Sequence, residues 1–196
     1  AIGGTLAYFT DKDVKNNVIT MGNVNGDLIE NHTPGDGTDS TDGIKYDNVK
    51  PNQTLSKEPY IQLAATSEDA YARMSMTITI TGTTMTQEQI DAHIAQLVAA
   101  IDGVLDANWV KSTDGYYYYQ TILSNKTAGA NKTSNIFETV TIPSSWGNEI
   151  ANAVITISLQ GELVQADNFT PQTTAANVIN GWNGVTVENY VAPTTP

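Results

Sequence analysis

The stretch YARMSMTITITG, residues 71–82, decides the fold class. Met74, Met76, Ile78 and Ile80 fall on one side of an extended chain, and Arg73, Ser75, Thr77 and Thr79 on the other. Strict alternation rich in β-branched residues is the signature of a half-buried strand. ANAVITISLQGELVQA, residues 151–166, repeats it: Ile155, Ile157 and Leu159 share one face, Val154, Thr156 and Ser158 the other. NVITMG (17–22), YIQLAA (60–65), YYYYQTIL (116–123) and NIFETVTI (135–142) read as further strands. PGDGTDSTDG (34–43), KPNQT (50–54), STDG (112–115) and TAGANKT (127–133) punctuate them as turns. Many short strands between such turns predict a mainly β protein, a jelly-roll-like antiparallel β-sandwich.

One segment breaks the period. In TQEQIDAHIAQLVAAIDG (86–103), Ile90, Ile94, Leu97, Val98 and Ile101 recur at helical spacing. Thr86 with Gln89 predicts a capping box and Gly103 a stop. The spacing therefore predicts one inserted amphipathic helix near 86–102, covering a sheet edge or one end of the sandwich. TTAANVINGW (173–182) reads as a second, shorter helical piece. His32 to Asp47 reads as the chain's mobile loop.

The 196 residues suit a single domain with a sizeable core. A net charge of −12 with nine Lys plus Arg excludes a basic footprint for nucleic acid. No apolar run approaches the roughly 20 residues of a membrane-spanning helix. Without cysteine there is no disulfide, thiol catalysis or thiolate metal site. Charged residues are only 15% of the chain, and the abundance of Thr, Asn, Ser and Gly resembles the dressing of secreted β proteins.

A search for catalysis finds no site. The two histidines, His32 in a loop and His93 beside the helix stripe, have no zinc-binding spacing, and there is no nucleophile elbow or phosphate loop. No catalytic, cofactor-binding or metal-ligating residue is assigned, and the chain is read as a non-enzyme. Asp36, Asp39, Asp42 and Asp47 make an oxygen-rich loop of the kind that can hold calcium. Their spacing of three, with no Glu closing the loop, favours a solvated acidic loop. Tyr117 and Tyr119 alternate with Tyr116 and Tyr118; one pair is a candidate surface contact, although packing of both pairs is the favoured reading. Arg73, the sole arginine, is expected to make an ion pair at the rim of the core, and Trp109, Trp146 and Trp182 to pack at the sandwich ends. Asn31, Asn52, Asn125, Asn131 and Asn168 stand in glycosylation sequons that matter only in a eukaryotic secretory pathway.

GGTLAYFTD (3–11) followed by NNVITMGNVNGDL (16–28) resembles the opening of the camelysin/TasA-like exported proteins of Gram-positive bacteria, with related archaeal pilins. VKPNQTLSKEPYIQL (49–63), AYARMSMTITI (70–80), GYYYYQTIL (115–123), IFETVTIP (136–143) and VQADNFT (164–170) leading to Trp182 resemble later parts of that family, in order. The resemblance implies a jelly roll, secretion to the cell surface or beyond, and assembly into fibres or biofilm matrix. In such fibres an N-terminal strand of one subunit completes the sheet of the next. Some members are labelled metalloproteases; with no zinc constellation here, that activity is not carried over. Family cleavage usually falls near an Ala-Tyr junction, here Ala7–Tyr8, so residues 1–10 are either a donor strand or a signal remnant, and 11–196 the domain.

AIGGTLAYFT (1–10) carries no charge. As a strand it turns Ile2, Gly4, Leu6 and Tyr8 one way and Phe9 the other, which makes these five the candidate donor residues. Burying Ile2, Leu6 and Tyr8 would contribute about 1.5–3 kcal/mol each, against association costs of about 4–15 kcal/mol. The expected partners are other copies in a head-to-tail filament, with accessory matrix proteins as a further candidate. The alternative is a non-polymerising surface adhesin or accessory module, with a metallopeptidase third. Extension of residues 1–9 away from the sandwich would favour donation; their pairing within it would favour a self-sufficient monomer.

Overall fold

A computed structural model describes residues 7–11, 18–34, 37–40 and 43–183. The chain is mainly β with one helix. In chain order the strands are β1 (Ala7–Asp11), β2 (Val18–Met21), β3 (Gly26–Asn31), β4 (Thr38–Ser40), β5 (Gly43–Val49), β6 (Thr54–Ser56), β7 (Glu58–Leu63) and β8 (Ala70–Thr81). Helix α1 (Gln87–Asp102) follows, then β9 (Trp109–Lys111), β10 (Tyr117–Tyr119), β11 (Thr139–Thr141), β12 (Val154–Gln165), β13 (Gln172–Thr173) and β14 (Ile179–Gly181).

The two long alternating segments pair with each other. β12 runs antiparallel to β8 from Val154↔Thr81 to Gln165↔Ala70. In register, their apolar sides form one surface: Ile155, Ile157 and Leu159 are buried with Met74, Ile78 and Ile80. Thr77, Thr79 and Thr81 stay exposed on the opposite face. This pair is the spine of the main sheet, whose order is β4-β5-β1-β12-β8-β10-β9, with β2 also on β12. Three two-stranded ladders, β3–β7, β6–β11 and β13–β14, lie outside it. One core cluster joins the main sheet's inner face to Leu28 of β3, Leu55 of β6, Ile61 and Leu63 of β7, Val140 of β11, and Leu97 and Ile101 of α1.

The ladders are antiparallel, as expected, with two exceptions. Both β1 and β2 run parallel to β12. A parallel pair needs a long crossover, and here the elements from β3 to β11 supply it.

The helix forms as its spacing predicts. Thr86 Oγ1 accepts from the Gln89 backbone N–H, and the Gln89 side chain accepts from the Thr86 N–H, closing the capping box. Leu97 and Ile101 are buried, with Ile90, Ile94 and Val98 packed against the core. Gly103 follows the last turn with its N–H on Ala99 O.

Two expectations are corrected. TTAANVINGW is not helical: Gln172–Thr173 and Ile179–Gly181 pair across a turn. Within it, Thr174 Oγ1 accepts from the Ala176 and Val178 N–H groups, and Asn177 adopts a left-handed φ of 60°. A threonine that caps its own turn, followed by an Asn in that region, ends helix formation whatever the intervening alanines favour. The supposed mobile loop from His32 to Asp47 holds the β4–β5 hairpin, with Thr38↔Lys45 and Asp39↔Ile44 paired and Ile44 and Tyr46 buried. The Tyr strand is shorter than its sequence suggests, with β10 covering Tyr117–Tyr119 only.

Candidate functional site

The seat of the N-terminal strand is built by β12 and β5. β1 lies between them, parallel to β12 with Tyr8↔Val154 and Phe9↔Ile155, and antiparallel to β5 with Phe9↔Tyr46 and Thr10↔Lys45. The flanking strands turn apolar groups to the core: Ile155 and Ile157 from β12, and Ile44, Tyr46 and Val49 from β5, all buried. Further along the same edge of β12, β2 pairs with Gly161–Val164, so Ser158, Leu159 and Gln160 lie between the two ladders. Of the candidate donor residues, Tyr8 and Phe9 thus fall within a strand of the chain's own sheet. Ile2, Gly4 and Leu6 lie outside the described residues. The expected division of the chain at residue 10 is crossed by β1, which reaches Asp11.

A second constellation sits on the opposite face of β8 and β12. Arg73 and Glu162 are cross-strand partners, both nearly buried. The guanidinium Nε donates to Glu162 Oε2, and an Nη donates to Tyr118 Oη at 3.2 Å. The cation lies 3.8 Å from the Tyr116 ring centroid and 4.4 Å from that of Trp182. Tyr118 in turn donates to Asp114 Oδ2 at 2.6 Å; burial and that carboxylate push its hydroxyl up to about 12. Val164, Ile179 and Trp182 complete a small cluster here, with Tyr71, Tyr116 and Phe169 packed against it. The arginine is therefore an internal clamp that holds β14 and Trp182 onto the sheet. Its ion pair is the one expected from the sequence, although it is buried rather than at the rim.

Tyr117 and Tyr119 are not a surface contact. Tyr117 belongs to the main core, 2% exposed, and its hydroxyl donates to Asp102 Oδ1 at 2.7 Å. Tyr119 packs on that core with its ring 5.2 Å from Trp109. β10 lies between β8 and β9, and Tyr117 and Tyr118 are buried while Tyr116 and Tyr119 are half-buried, so neither alternating pair is presented whole to solvent. Trp109, Trp146 and Trp182 are all buried.

The histidines make structural contacts. His93 stacks on Trp146 at 4.9 Å, with Nδ1 2.8 Å from Gln89 O and Nε2 3.1 Å from Glu149 Oε1, tying α1 to the turn before β12. His32 lies between Thr33 O and Asp39 Oδ1, both at 3.0 Å. In the acidic loop, Asp39 is on β4 and Asp47 on β5, while Asp36 and Asp42 lie outside the described residues. Among the described residues no three His, Asp or Glu side chains are grouped to hold a metal ion, and no helix is long and apolar enough to cross a membrane.

Sequence reasoning missed one pair altogether. Lys57 and Glu30 meet inside the protein, Nζ 3.0 Å from Oε2, with side chains 0% and 3% exposed. No periodicity marks them; the only signal is a Lys set between the apolar positions of β6 and β7. Set against protein-family models, curated proteins and solved structures, the chain matches none of them.

Proposed function

We propose that this chain is a secreted structural subunit of extracellular fibres, assembled when the N-terminal segment of one copy enters the sheet of the next. The observation that carries the reading is the position of β1: the first described strand occupies an interior place in the main sheet, between β12 and β5. Its departure would uncover hydrogen-bonding edges on both neighbours, which is the template that strand addition needs. Each copy offers one strand and one seat, and passing the strand on from copy to copy, rather than swapping it back, is a head-to-tail contact that builds open filaments. The acidic surface and the Thr-rich outer face of β8 suit an exposed, soluble fibre.

A second reading rests on the same strand. Ala7–Asp11 pairs within its own sheet, the outcome set out above as favouring a self-sufficient monomer, and taken alone it favours a non-polymerising adhesin or accessory module. Thr10 and Lys45 are facing partners on β1 and β5, so a Thr10→Cys/Lys45→Cys double variant separates the two. Oxidised after concentration, it gives a ladder of covalently linked multimers if the strand is exchanged between copies, and linked monomers alone if it is not. Electron microscopy of the chain without residues 1–11 completes the test; filaments identical to those of the full chain would exclude donation by this segment.

A further inference from the structure

The buried Lys57–Glu30 pair lies apart from the β1 seat and from the Arg73 clamp. Glu30 is on β3, and Lys57 joins β6 to β7; the β3–β7 ladder places Glu30 opposite Pro59, two residues beyond the lysine. The lysine backbone is fixed, its N–H donating to Glu138 O at 3.0 Å. Its neighbours in sequence and space are core: Leu55, Phe137 and Tyr46 are all buried. The Tyr46 hydroxyl donates to the carbonyl of Ser56, the residue before the lysine.

Two full charges withdrawn from water carry a desolvation penalty that their attraction repays only in part. Burial also holds the Lys57 amine well below its usual range, toward the neutral, nucleophilic form. A proton passed from the ammonium to the carboxylate leaves an amine against a carboxylic acid. These are the reactants of amide formation, with the Lys57 Nζ 3.0 Å from a carboxyl oxygen of Glu30 and both groups screened from the solvent that would favour hydrolysis. Orientation of this quality replaces an encounter with a contact and raises the effective concentration of the amine by many orders of magnitude. The product removes both charges from the core.

We propose that Lys57 and Glu30 are joined by an isopeptide bond. The Lys57 nitrogen attacks the Glu30 carboxyl carbon and the C–N bond forms. The carboxyl hydroxyl leaves with one proton from nitrogen as a single water, so no oxidant, reductant or other reactant is consumed. The bond would staple β3 to the β6–β7 connection. It gives a cysteine-free chain the covalent cross-link that a disulfide supplies elsewhere.

Intact-mass spectrometry of the purified full chain tests it. The expected result is a mass lower than calculated by one water, with tandem spectra of a digest placing the loss in a branched peptide that joins the segments around residues 30 and 57. A succinimide at an Asp-Gly step, such as Asp102–Gly103 or Asp114–Gly115, also costs one water. The branched peptide distinguishes the two, as does its absence in Lys57→Met, which should recover the full calculated mass. If that variant does not fold, the digest of the natural chain still decides. An unmodified mass, or a water loss mapped to an Asp-Gly step, overturns the proposal and leaves a buried ion pair.

Discussion

Arg73→Met tests whether the clamp behind β8 and β12 holds the fold together. The substitution keeps the apolar stem and removes the guanidinium. Glu162, whose side chain is 4% exposed, would then lie buried with Tyr116 Oη at 3.4 Å as its remaining side-chain donor among the described residues. Leaving one half of a buried ion pair costs about 3–5 kcal/mol. The cation also loses the faces of Tyr116 and Trp182, at 3.8 and 4.4 Å, each worth about 0.5–2 kcal/mol when desolvated. These contributions overlap, so the expected loss is about 4 kcal/mol. At about 2–4 °C per kcal/mol for a domain of this size, the melting temperature should fall by about 8–16 °C. Removing both charges should restore much of this: Arg73→Met/Glu162→Leu leaves no orphan, and its cost should return to about 0–2 kcal/mol. Urea unfolding followed by tryptophan fluorescence is the assay, because Trp182 lies on the guanidinium. Single variants that each cost under about 1 kcal/mol, and that add without coupling in the double, would refute the clamp.

Three smaller perturbations follow from other contacts. Thr86→Ala removes the side chain that accepts from the Gln89 N–H and should cost about 1 kcal/mol in chemical unfolding. Gly82→Ala puts a Cβ 2.9 Å from Asn152 O at a φ of +70° and should cost about 1–3 kcal/mol by the same assay. Burial alone would raise Asp106 and Glu149, but hydrogen bonds outweigh it: Ser134 and Asn108 on Asp106, and the Gly147 and Glu149 N–H groups with His93 on Glu149, hold both below the usual carboxylate range. A carboxylate lowered in this way contributes stability above its unfolded pKa of about 4 and loses it as the pH falls through the folded value. The melting temperature should therefore be level down to about pH 4.5 and decline below it, with a shallower decline in Asp106→Asn.

What could be read from the sequence is what has a period. β8, β12 and α1 match their segments because burial of one face imposes a spacing of 2 or 3.6 that no local choice disguises. β5 reads as part of an acidic loop: Ile44 and Tyr46 alternate, but Val49 falls out of step and the Asp-Gly steps at 36–37 and 42–43 before them dominate. The TTAANVINGW hairpin was lost for the opposite reason, since two alanines outweighed a threonine and an asparagine whose effect depends on side-chain geometry. The Arg73–Glu162 pair was half visible, as a charge on a strand face without its partner. Lys57–Glu30 was invisible because a contact between β3 and the β6–β7 junction is a property of the assembled layers.

The parallel seat of β1 has a quantitative consequence for assembly. Tyr8 meets Val154 across about three-quarters of the chain, so the contact depends on the sheet between them having assembled. Closing so long a loop costs little more than closing a shorter one, about 0.6 kcal/mol per doubling, but the pairing is among the most non-local in the fold and forms late. If, as proposed, the strand of another copy takes the same seat, it makes the same backbone pairings with β12 and β5. The difference between closed monomer and fibre is then set by effective concentration, on the order of mM for an intramolecular segment, rather than by new contacts. Purified monomer should stay monomeric at µM concentration and polymerise as it approaches the mM range, or after a brief treatment that frees β1 while β8 and β12 remain paired. Preformed fibres should shorten the lag, because their terminal seat needs no strand displaced from it. Light scattering against concentration, with and without seeds, measures this. A threshold far below the effective concentration would show that the fibre makes contacts the monomer lacks, and exchange of β1 alone would then be insufficient.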